Sequence, residues 1–236
     1  MRLEVSWRTV FYVWMLSVAC LLYWYDQPHS TEYIAAKTLS GVVLIECDPA
    51  PIAILLSTSG VVSSLKLSGA ITAGIVTSKY GHIVTVAHGL SSCRNFGDEI
   101  NITYWDEPWK TYRANILRYN DLHDVALLQV PNPPDVSPLD IADSEPAIGS
   151  KIVMVGHPES LYWAVSEGAA GFMRKWSKDR NVFQIVAPIN HGNSGGPVLN
   201  NRGEVIGLLS FTLVDATFLG FAVPIDIIKA MSNGQY

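Results

Sequence analysis

The chain has 236 residues, of which 49% are apolar and 16% charged, and its net charge is −5. That is enough apolar material for a sizeable core and too little charge for a disordered chain. The acidic balance and the lack of a long basic run speak against a nucleic-acid partner, since phosphate binding needs a dense Lys/Arg surface.

From Thr9 to Tyr25 the sequence carries no charge for 17 residues. That is the lower edge of what spans a bilayer core, roughly 17 to 25 residues. Trp7, Tyr23, Trp24 and Tyr25 flank the run as interfacial aromatics do, with Arg2 and Arg8 before it and Asp26 and Glu32 after it. The positive-inside tendency then leaves the N-terminus in the cytoplasm and the rest of the chain on the extracytoplasmic side. No A-x-A cleavage pattern follows Tyr25. Residues 1–26 are therefore read as an uncleaved, single-pass signal anchor, in preference to a cleaved signal peptide, a lipoprotein site at Cys20 or a buried helix. Residues 27–40 are a linker or short helix.

After Gly41 the texture changes to short apolar runs bounded by Gly, Pro, Asn and Asp: Val42–Glu46, Gly74–Thr77, His82–Val86, Glu99–Tyr104, Val125–Val130, Lys151–Val155, Phe183–Ile185, Val205–Phe211 and Gly220–Val223. Many short strands with frequent turn signals indicate a β-barrel or sandwich. Tyr80-Gly81 reads as a hairpin turn, and the Pro-rich stretch Pro131–Pro138 cannot continue a central strand, so it marks a crossover between two halves. A helix is expected over residues 225–232, opened by Pro224. Residues 48–70 form an extra loop. The basic stretch Arg174–Arg180 is read as an exposed loop between two strands. Of the cysteines, Cys20 lies in the apolar run. Cys47 and Cys93 either pair in an oxidising compartment or stay as buried thiols, and the sequence leaves both open. Neither has a Cys or His neighbour at metal-ligand spacing, so no metal is expected.

The sharpest chemical signal is Gly192-Asn193-Ser194-Gly195-Gly196-Pro197. A nucleophilic serine needs an exposed hydroxyl and backbone amides converging on the developing oxyanion. Gly192, Asn193 and Ser194 form the candidate oxyanion segment, with the Gly192 and Ser194 amides as donors. The candidate base is His88, at the end of the apolar run Ile83–Ala87. The candidate orienting carboxylate is Asp124, at the mouth of the buried-strand pattern Val125–Val130, where an unpaired acid would be costly. His191 adjoins the serine loop and is a minor rival base.

The order His…Asp…Ser is that of chymotrypsin-type peptidases. Thr85-Val86-Ala87-His88, His123–Leu128 and GNSGGPVLN at 192–200 resemble the three signatures of trypsin-like peptidases. The chain further resembles the HtrA/DegP family at Asp143-Ser144, Gly149, Gly156-His157-Pro158, Gly203–Gly207 and Gly220–Pro224. The resemblance covers roughly Gly41 to Met231. It implies an all-β fold of two six-stranded antiparallel barrels, about 41–130 and 139–224, with the triad between them, and it implies endoproteolysis of unfolded or misassembled proteins. It also implies protein or peptide substrates, possible homotrimers and no cofactor. The family's usual PDZ domain is not matched. Asn193 replaces the Asp with which secreted zymogens pair a newly cut N-terminus, which disfavours activation by propeptide cleavage. Pro188, Ser210, Phe211, Thr212 and Phe221 are expected to wall the pocket for the residue before the scissile bond, with a small or aliphatic preference. The rival reading is a catalytically silent protease fold that binds peptides or partners at the membrane.

Overall fold

The computed structural model describes residues 10–18, 29–48, 52–56, 61–65, 70–93, 99–213 and 218–235. Residues 10–18 are helical (α1), while residues 1–9 and 19–26 of the expected anchor lie outside the described residues. Among the described residues no helix is long and apolar enough to cross a membrane. The expected linker contains helix α2 (Thr31–Thr38), whose N-cap Ser30 accepts a bond from the Tyr33 amide.

Twelve strands close into two antiparallel six-stranded barrels. Barrel one comprises β1 (Val42–Asp48), β4 (Ala70–Val76), β5 (His82–Thr85), β6 (Glu99–Tyr104), β7 (Thr111–Asn120) and β8 (Val125–Gln129), in the order β1-β4-β5-β8-β7-β6. Barrel two comprises β9 (Lys151–Gly156), β10 (Ala164–Lys175), β11 (Asn181–Val186), β12 (Pro197–Leu199), β13 (Val205–Thr212) and β14 (Leu219–Pro224), in the order β10-β11-β14-β13-β12-β9. Helix α3 (Ile225–Ser232) follows directly from β14. The extra segment holds a separate two-stranded sheet, β2 (Ile52–Leu56) with β3 (Val61–Leu65).

The apolar runs make sense once their two faces are followed. Side chains alternate across a strand. On β5, Ile83 points into barrel one while Val84 points out of it; on β8, Ala126 and Leu128 point in while Leu127 points out. On β9, Ile152 and Met154 fill barrel two while Val153 and Val155 face the other way. The outward residues of both barrels meet in a third core, which α2 and α3 complete with Ile34, Ile228 and Met231. Strands buried on both faces read as continuous apolar runs rather than alternating ones. The crossover at residues 130–150 is stitched to both sides: the Leu139 amide donates to Val76 O at 3.0 Å, and the Val205 amide donates to Asp140 O at 2.8 Å.

Two further features tie the barrels down. Cys47 at the end of β1 and Cys93 beyond β5 form a disulfide, with Cα atoms 5.6 Å apart. His157, fully buried after β9, donates from Nε2 to Val43 O of β1 at 3.2 Å and accepts the Trp163 amide at Nδ1 at 3.0 Å. Trp163 donates from its indole to Val42 O at 2.9 Å. An imidazole that accepts at Nδ1 and donates at Nε2 must be neutral. Burial pushes its pKa down to about 4, only partly opposed by the bond to Val43.

Two predictions follow from these ties. A Cys47→Ser/Cys93→Ser variant should lose about 2–5 kcal/mol of unfolding free energy, read as a lower urea midpoint, and an unchanged midpoint would contradict the tie. Because the folded state resists protonating His157, its contribution is complete above the ordinary histidine value of 6.5 and is lost as pH falls toward about 4. Urea melts should show up to about 3 kcal/mol of loss across that window, and a His157→Gln variant should show less of it.

Candidate active site

The site is assembled from four segments, two on each barrel. From barrel one come the turn His88–Leu90 after β5 and the residue that opens β8, Asp124. From barrel two come the 191–196 loop and the end of β13.

Asp124 is 6% exposed and sits at φ 54°, a conformation uncommon for a residue with a side chain. Three donors hold it there. The His88 amide donates to Oδ1 at 3.0 Å, and His88 Nδ1 lies 3.0 Å from Oδ1 and 2.9 Å from Oδ2. The Ser210 hydroxyl donates to Oδ2 in a short bond. Burial of the carboxyl would raise its pKa, but the hydrogen bonds and charge of His88, with the Ser210 bond, hold it below the ordinary carboxylate value. Arg180 Nη2 stands 3.8 Å from Oδ2, too far for a hydrogen bond. With Nδ1 turned to the carboxylate, Nε2 of the half-exposed His88 ring is the nitrogen left for chemistry. The turn is braced by the Tyr119 hydroxyl, which donates to Ala87 O at 2.7 Å.

Ser194 is gripped through its backbone. Its carbonyl accepts the Ala73 amide at 2.8 Å and the Thr72 hydroxyl at 2.6 Å, both from β4 of the opposite barrel. Its hydroxyl donates to Ser210 O at 3.2 Å. Gly192 has φ +93°, and a Cβ there would lie 2.1 Å from His157 O; Gly195 has φ +77°, and a Cβ there would lie 2.1 Å from Ala73 O. Only glycine fits either position. The Asn193, Gly195 and Gly196 amides donate to Asn190, Leu209 and Asn193 carbonyls at 3.2, 2.7 and 3.0 Å. Among the described residues the Gly192 and Ser194 amides donate to no backbone carbonyl.

The residues expected to wall the pocket divide. Ser210 is buried; its hydroxyl donates to Asp124 and its carbonyl accepts from Ser194. Phe211 stacks on Phe221 with ring centres 5.0 Å apart, and Trp176 of the β10–β11 hairpin packs on both at 4.7 and 5.4 Å. Thr212 ends β13, paired with Gly220, and Pro188 is exposed beyond β11. The basic stretch closes the β10–β11 hairpin, with the Trp176 and Ser177 amides on Arg180 O at 2.9 and 3.1 Å. The His191 carbonyl accepts the Glu159 amide at 3.1 Å. Thr72 carries no signal in the sequence, and Trp176 and Arg180 stand there only as members of an exposed basic stretch; all three act through contacts between segments far apart in the chain. Among the described residues no cluster of His, Cys, Asp and Glu could hold a metal ion.

Residues 72–208, more than half of the chain, match the trypsin-like peptidase domain. The chain belongs to that family. It is 31% identical over 228 residues to the serine protease HTRA1A of Danio rerio, covering 92% of this chain and 45% of that protein. It is 28% identical over 167 residues to the periplasmic pH-dependent serine endoprotease DegQ of Escherichia coli, covering 67% of this chain and 35% of that protein. The chain thus spans less than half the length of either relative. The Rv3671c protease of M. tuberculosis in its active form shares the fold with a TM-score of 0.70 and 22% identity, over 85% of this chain and 82% of that one.

Proposed function

We propose that the protein is a membrane-anchored serine endopeptidase in which His88, Asp124 and Ser194 act as a triad, working in protein quality control or regulated proteolysis. The observation that carries the chemistry is the contact of His88 Nδ1 with both carboxylate oxygens of Asp124, next to a serine on a loop whose Gly192 and Ser194 amides donate to no backbone carbonyl among the described residues.

In this reading, rotation about the Cα–Cβ bond of Ser194 carries its hydroxyl from Ser210 O to His88 Nε2. His88 takes the proton as Oγ attacks the peptide carbonyl, and Asp124 stabilises the resulting imidazolium. The Gly192 and Ser194 amides receive the oxyanion. His88 then protonates the leaving amine, and water attacks the acyl-enzyme by the same route. The Ser194–Ser210 bond also favours a second reading, a resting or silent protease fold in which the hydroxyl stays turned away until a ligand shifts it. Hydrolysis of casein by the full chain in detergent separates the two. Activity abolished in Ser194→Ala, by more than about 10³-fold, supports the peptidase; equal rates in both proteins contradict it.

Anchoring rests on the uncharged run Thr9–Tyr25, on the helical residues 10–18 within it and on the basic residues before it. A disulfide between Cys47 and Cys93 supports an oxidising, extracytoplasmic setting for the domain. The His29 amide donates to Asn201 O at 3.1 Å, in the β12–β13 turn, at the opposite end of β13 from Ser210. The full chain should therefore stay in the membrane fraction after alkaline carbonate washing, and release of the intact chain would refute the anchor.

A further inference from the structure

His157 is fully buried and lies within no expected catalytic set, yet both its ring nitrogens are committed. Its backbone forms the bed of the oxyanion segment. The His157 amide donates to Gly192 O at 3.1 Å, and two residues on, the Glu159 amide donates to His191 O at 3.1 Å. Contact is close enough to forbid side chains on both sides. A Cβ on Gly192 would lie 2.1 Å from His157 O, and one on Gly156 would lie 2.9 Å from Asn193 Cα. The bed is itself fixed to the other barrel, through His157 Nε2 on Val43 O and the Trp163 indole on Val42 O, at 3.2 and 2.9 Å. Glu159 and Trp163, at φ 48° and 55°, show how sharply the intervening chain must fold to make both contacts.

We infer that His157 is a positioning residue: it pins the β9–β10 segment to β1 and thereby holds the Gly192 and Ser194 amides at the distance an oxyanion requires. The role rests on the serine-peptidase reading above. It acts on transition-state binding and leaves substrate binding largely alone, because the pin touches the loop's rear and not the Phe211–Phe221 side of the cleft.

The test compares wild type, His157→Phe and His157→Gln as full chains in detergent. Phenylalanine keeps the ring's volume but supplies neither bond. Glutamine can donate to Val43 O and accept from the Trp163 amide. A small displacement at a catalytic centre can cost about 10²-fold. H157F is expected to lower kcat by about 10- to 100-fold, with KM changed less than about twofold, and H157Q to recover most of that loss. The affinity for a peptidyl boronic acid, whose tetrahedral adduct needs the oxyanion donors, should fall in step with kcat/KM. Affinity for a product peptide should not. A merely structural role would lower the melting temperature while leaving kcat per folded, titratable serine and boronate affinity at wild-type values, and that outcome overturns the inference. So does an H157Q variant as impaired as H157F. If H157F does not fold, Trp163→Phe, which removes the Val42 bond and trims the ring that packs on His157 and Trp105, carries the same test: a kcat loss of a few-fold at constant KM supports the pin, and unchanged kcat and boronate affinity overturn it. Wild-type protein without Ser194-dependent hydrolysis overturns the peptidase reading and this role with it; active wild type with H157F at the wild-type kcat overturns this role alone.

Discussion

A closed barrel satisfies its own backbone hydrogen bonds, so nothing in either ladder fixes one barrel against the other. Any chemistry that draws on both must rely on the seam between them. Here the seam has an apolar filling, where Val84 and Leu127 from one side meet Val153, Val155 and Leu208 from the other. Apolar packing is non-directional, and by itself it would permit sliding. Direction comes from a few bonds that cross the seam: Ala73 and Thr72 onto the Ser194 carbonyl, and His157 and Trp163 onto the Val43 and Val42 carbonyls. Two of these four end on Ser194 itself, and the other two fix the segment on which its loop rests.

The electrostatics obey the same division. A carboxylate as buried as that of Asp124 is tolerated only when its lone pairs are filled. Barrel one supplies the His88 amide and ring, and barrel two supplies the Ser210 hydroxyl. The carboxylate is therefore fully partnered only when the barrels are in register. Moving Ser210 away would leave a buried charge short of a donor, which opposes the displacement. The group that orients the histidine thus also resists separation of the halves.

How much of this was legible in the sequence depends on burial. Strands with both faces buried, such as β5, β8 and β9, announce themselves as apolar runs. β7 does not, because of its ten residues only Ala114 is buried, and a sequence such as TYRANILRYN carries no apolar run. β10, with only Ala170 and Gly171 buried among its twelve residues, escapes for the same reason, and β12 is only three residues long. His88, Asp124 and Ser194 stand out because each adjoins a buried strand or a glycine-rich turn whose spacing is unusual. The bond from Ser210 to Asp124 has no signal in the sequence, because a serine on a buried strand gives no sign of which distant carboxylate it meets. His157 shows in the sequence only as part of the Gly156-His157-Pro158 stretch, since its partners at Val43 and Trp163 are set by the packing of one barrel on the other. The Cys47–Cys93 pairing, open in the sequence, is decided by β1 running past the segment that follows His88.

Ser210 brings these strands of reasoning to one residue. Its hydroxyl donates to Asp124, its carbonyl accepts from Ser194, and its position on β13 is set by the pairing of Leu209 with Gly195 and Gly196 across the loop. The register shift in the β13–β14 ladder falls between Leu209 and Phe211, on either side of it. A bulge re-aims the side chains around it. Here it lets Ser210 turn its hydroxyl to the buried carboxylate while Phe211 stacks on Phe221. One irregular residue in an otherwise regular ladder thus reaches the acid of one barrel and the serine of the other. The irregularity lies where the regular ladder alone could not bring both groups within reach.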